Sequence, residues 1–144
     1  MTNTTAMRAE ITRRLAQLSA ENGYTCNINA VLNPVDMRDK SKHPASGNFC
    51  VLWTEPGQLI KQVGSNIQWE QTFGLDMTVP WTATAESDLD TIRLELASAL
   101  GARLPNVQQQ KLTGLVTHYP QSGNAQAVVS AELTLTYTET ITAL

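Results

Sequence analysis

The stretch NIQWEQTFGLDMTVPW, residues 66–81, constrains this chain more than any other. Ile67, Trp69, Phe73, Leu75, Met77, Val79 and Trp81 sit on odd numbers, and every even position between them is polar, Gly or Pro. Side chains alternate across a strand with period two, so the pattern describes one apolar and one polar face. In a chain that is 42% apolar, chance supplies such a window only about twice in 10,000. At ~3.3 Å per residue its strand residues span ~45 Å, about twice an ordinary strand. An apolar face that long needs an equally long cover.

The rest of the chain supplies part of one. Met7, Ile11, Leu15 and Leu18 form a helical stripe, which predicts a first helix over 5–22, started by Thr4 or Thr5 and ended by Gly23. Leu89, Ile92, Leu96 and Leu100 predict a second over 87–103, with Ser87 and Asp90 as a capping box and Gly101 and Pro105 at its end. Arg8, Glu10, Arg13 and Gln17 are expected to face water. Alternation predicts strands over 24–32, 49–63, 66–79, 112–119 and about 126–141. The order α-β-β-β-α-β-β implies an α+β fold: an antiparallel or mixed sheet with two helices on one face. A length of 144 residues fits a single domain, 1–144.

The second and third strands form a hairpin about Gly64-Ser65. With a two-residue turn, Ile60 faces Trp69, and Glu55-Pro56 faces Phe73-Gly74. Pro56-Gly57 and Gly74 then lie at one height, where both strands can bend. This predicts a projecting arm, about 58–73. Leu59, Ile60, Val63, Ile67 and Trp69 would make a sizeable apolar patch on it, and a two-stranded ribbon is marginal alone. A neighbouring copy of the chain or a partner protein is the expected cover; folding back on its own domain, over the second helix, is the alternative. Trp69→Glu or Ile60→Glu is expected to break association and leave the monomer folded.

Residues 33–48 are a long polar loop without period, holding the densest charge of the chain in Asp36, Arg38, Asp39, Lys40 and Lys42. Its few basic groups, with His43 and a stacking Trp69, are interleaved with acids in a chain of net charge −3, which argues against a grip on nucleic acid. Cys26, Cys50, His43 and His118 lack zinc-site spacing, so no metal or cofactor is expected. The cysteines read as buried reduced thiols, the histidines as surface or strand-end residues. Glu86, Asp88 and Asp90 suit the positive end of a helix. With no nucleophile beside a base and no phosphate-cradling loop, an enzyme is not expected. No stretch is apolar enough for a signal peptide or membrane span.

The helix MRAEITRRLAQL, the hairpin FCVLWTEPGQLIKQVGSNIQWEQTFGLDMTVPW, the helix SDLDTIRLELASALG and the closing strand AVVSAELTLTYTETI follow one another in an order that resembles the tail terminator proteins of long-tailed bacteriophages, the minor tail protein U type. The likeness covers nearly the whole chain and rests on element order and pattern. It implies a structural, homo-hexameric ring that caps the tail tube, ends its polymerisation and offers a surface to the head. The implied partners are other copies of the chain, the tail tube protein and the head connector or neck protein. DNA would slide through an acidic lumen without specific binding, and no membrane is involved. The place implied is the head–tail junction of the virion, and the host cytoplasm during assembly. The contact surfaces implied are the arm (Leu59, Ile60, Val63, Ile67, Trp69) and the loop (Arg38, Asp39, Lys40, Lys42). A head-completion or neck protein joining portal to tail, or a non-phage oligomeric α+β adaptor, are the alternatives.

Overall fold

The computed structural model describes residues 3–42, 48–120 and 126–141. Its elements run α1 (Asn3–Ala16), β1 (Ile28–Leu32), α2 (Pro34–Met37), β2 (Asn48–Thr54), β3 (Gln58–Val63), β4 (Asn66–Pro80), α3 (Ala85–Gly101), β5 (Gln109–His118) and β6 (Gln126–Thr140). The strands make one mixed sheet in the order β1-β2-β4-β6-β5, with β3 on the far part of β4. The fold is α+β, with α1 and α3 packed on one face and the β3–β4 hairpin running out past them.

Both helical stripes are buried as their spacing requires. Met7, Ile11, Leu15 and Leu18 meet Leu89, Ile92, Leu96 and Leu100 over Phe73, Leu75, Met77, Val129, Leu133 and Leu135. The long strand β4 has an equally long neighbour in the sheet. Strand β6 pairs β4 from Pro80↔Gln126 to Asn66↔Thr140, and its own inner row, Ala127 to Tyr137, is buried. The arm is therefore three strands wide rather than the two-stranded ribbon expected, which removes the instability of an isolated ribbon.

Helix α1 is shorter than expected. It stops at Ala16, and a 3-10 turn over Ala20–Asn22 leads to Gly23 at φ 84°. Helix α3 starts two residues before the expected 87, so Ser87 lies in its first turn and donates to the Thr84 carbonyl at 3.0 Å. Arg14 faces across α1 to the end of α3, where its guanidinium donates to the carbonyls of Ala99 (3.1 Å), Ala102 (2.5 Å) and Arg103 (3.2 Å). Ala99 and the C-cap Ala102 are among the carbonyls a helix end leaves without partners.

The loop after β1 has a topological cause. Strands β1 and β2 are parallel, and a parallel pair needs a crossover of a dozen or more residues. Asn33 caps α2, its side chain accepting from the Asp36 N–H at 2.8 Å, with Pro34 in the first turn. A 3-10 turn follows over Lys40–Lys42. The stretch expected to lack structure is thus partly helical, and 43–47 lie outside the described residues.

The hairpin register slips twice. The turn pairs Val63 with Asn66 as expected, but a bulge at Ile60 sets Leu59, not Ile60, opposite Trp69. The break at Glu55–Gly57 adds a second slip, so Trp53, not Glu55, faces Gly74. Strand β4 runs on through Gly74; the interruption belongs to the partner strand alone. Gln71, the one polar residue in the odd-numbered row, is 5% exposed. Its amide donates to the Glu55 and Thr72 carbonyls, so it replaces ladder bonds lost at the Pro56-Gly57 break.

Candidate interaction surfaces

All of β3 is exposed. Leu59 and Ile60 are each 46% exposed and Val63 is 66% exposed. The Ile60 bulge places Lys61 and Val63 opposite Gln68 and Asn66, on the sheet face without α1 and α3, and Leu59 and Gln62 on the other. The tip is tied down at Gly64-Ser65, where the Ile141 N–H donates to the Ser65 carbonyl at 2.6 Å and the Thr140 hydroxyl to the Asn66 side chain at 3.0 Å.

Ile67 and Trp69 behave differently from the β3 residues. Both are half-buried. Trp69 is paired across the strand with buried Tyr137 and packs against the chain's own core. Its indole N–H is buried without a hydrogen-bond partner, a cost that the packing of the ring has to offset.

The loop residues are held apart from the arm. Helix α2 packs against β1 and β2. Arg38 lines a hollow with Pro34, Met37, Phe49 and Val51. Asp39 is occupied locally, accepting from the Ser41 N–H (3.0 Å) and hydroxyl (2.7 Å). The Lys42 N–H donates to the Asp39 carbonyl at 2.9 Å. The Lys40 side chain and His43 lie outside the described residues.

A second surface escaped the sequence reading: the sheet face that α1 and α3 do not cover. Two adjoining hollows of about 440 and 490 Å³ lie on it. Phe49, Val51, Trp53, Val116 and Val128 give them an apolar lining. Asp76 lies in both, held by the Ser130 hydroxyl at 2.6 Å. Glu132 stands beside it, two residues along β6 from Ser130. The signal was present in NFCVLWT, where Phe49 to Trp53 are all apolar, so β2 is apolar on both faces. A strand of that kind needs cover on both sides.

At the far end of the same strands, Trp81 and Tyr119 form an exposed edge-to-face pair with ring centroids 5.3 Å apart. Among the described residues no helix is long and apolar enough to cross a membrane. What these surfaces offer chemically is apolar contact with a few fixed charges. No protein-family model and no curated protein matches the chain.

Proposed function

We propose that this protein is a structural ring subunit, and that the ring caps the tail tube of a long-tailed bacteriophage, ends its growth and meets the head's connector. The order of helices and strands, with a long hairpin between the first strand and the second long helix, is what resembles the tail terminators. One observation carries the reading: β3 offers Leu59, Ile60 and Val63 to solvent on a firmly built three-stranded arm. An apolar edge strand of this kind invites pairing and aggregation unless another chain covers it. Closed rings use head-to-tail contacts in which one subunit's arm meets the next subunit's body.

On this reading the protein performs no catalysis, and its work is done by surfaces. The net charge of −3 suits a channel that DNA crosses without sticking, because like charge disfavours phosphate contact. Native mass spectrometry with negative-stain imaging tests the ring. Binding to purified tail tubes and not to filled heads is expected. Binding to filled heads alone would instead make it a neck protein, and a stable monomer that binds neither would end the phage reading.

A further inference from the structure

We infer that the β3 arm of one copy seats in the helix-free groove of the next, with Val63 against Phe49, Val51, Trp53 and Val128, and Lys61 between Asp76 and Glu132. This rests on the ring reading and names the surfaces that would close it. The two surfaces belong to one chain but do not meet within it. Asp76 lies eight positions along β4 from Gln68, which is opposite Lys61, or ~26 Å at the rise of a strand.

The charges are complementary. Lys61 projects from β3 on the helix-free side, opposite Gln68. The middle of the groove holds Asp76 and Glu132, with Arg38 at the α2 rim and His118 lining the β5 side. Asp76 is half-buried and receives one hydrogen bond from Ser130 at 2.6 Å. A carboxylate has about four acceptor sites, so it can take a further donor. An ammonium arriving with an apolar strand would meet that carboxylate as water leaves, where the attraction is stronger than in bulk solvent.

Cross-linking tests the pairing. Full-length chains carrying Val63→Cys and Val128→Cys are prepared separately, mixed and oxidised. Native Cys26 and Cys50 are fully buried, so they do not compete in the folded protein. A covalent dimer is expected from the mixture and not from either variant alone. In parallel, Lys61→Glu and Glu132→Lys, both at exposed positions, should each weaken assembly at least tenfold, and combining them should restore it. Cross-linking within a discrete dimer by native mass would uphold the docking and overturn the ring. A ring without this cross-link, or with Val63→Cys joining to itself, would overturn the docking and leave the ring standing. A monomer at every concentration would overturn both.

Discussion

The indole of Trp53 lies against Gly74, its cross-strand partner, so closely that a Cβ on residue 74 would stand 2.3 Å from Cε2 and Cζ2. The glycine is there for the ring and not for a bend. Gly74→Ala should therefore lift the indole off the sheet and cost ~1–3 kcal/mol, the usual penalty for overpacking. Urea denaturation measures it. In a Trp53→Ala background the same change should cost close to nothing, because residues in direct contact are not additive. An equal cost in both backgrounds would show that the indole is not the obstacle.

Glu95 makes a second long-range tie. Its carboxylate accepts from the backbone N–H groups of Thr25 and Cys26, both at 2.9 Å, and pins the approach to β1 onto α3. Glu95→Ala leaves the N–H of buried Cys26 without a partner, which costs ~1–3 kcal/mol. Glu95→Gln keeps one acceptor oxygen and should lose less. Denaturant midpoints for the two variants, with hydrogen exchange at Cys26, give the comparison.

The parts of the fold that could be read from the residues are those governed by a period. The stripe Met7-Ile11-Leu15-Leu18, the stripe Leu89-Ile92-Leu96-Leu100 and the alternation of β4 and β6 report directly which side chains are buried. Register and direction were less legible. A bulge at Ile60 shifts the pairs farther from the turn, Leu59 and Gln58, by one residue and leaves no trace in composition. The parallel pairing of β1 with β2 depends on where the crossover lands, so the 33–48 stretch looked like a loop with a task of its own. The arm's exposed residues were legible because apolar side chains near Gly64-Ser65 have little around them. Trp69 was misplaced with them, because its cover is Tyr137 and the core, 68 residues later in the chain. The helix-free groove needed the register of β2 on β4, since only pairing brings Trp53 beside Asp76.

The thiols give the protein an alkaline sensitivity. Burial, with the Glu95 charge adding to it, pushes Cys26 from its ordinary value up to about 12. Burial pushes Cys50 up as well, helped by Asp76 and Cys26. Both acids are held protonated in the folded state and released in the unfolded one. Above a pH of about 8.5, where an unfolded cysteine ionises, the unfolded state binds fewer protons, and stability falls as pH rises. Below that value these two groups contribute no slope. Denaturation between pH 8 and 11 should show the decline, and Cys26→Ala or Cys50→Ala should make it shallower. A thiol reagent at pH 8 should react only at the rate of global opening.

Ile60 and Trp69 separate the arm's surface from its foundation. Both were expected to tolerate Glu in the monomer. Ile60 is 46% exposed at the β3 bulge, so Ile60→Glu leaves its carboxylate in water and should shift the unfolding midpoint little, within ~0.5 kcal/mol. Trp69 packs on the core beside Tyr137, whose hydroxyl is 2.9 Å from the Thr4 hydroxyl on α1. Trp69→Glu places a carboxylate there without a partner and should cost several kcal/mol, on the order of 3 or more. Analytical ultracentrifugation should find Ile60→Glu folded and monomeric under conditions where the parent chain assembles. Circular dichroism should find Trp69→Glu largely unfolded or melting far lower. If Ile60→Glu assembles like the parent, β3 is not the contact. If Trp69→Glu keeps the parent's stability, the indole adds nothing to the core.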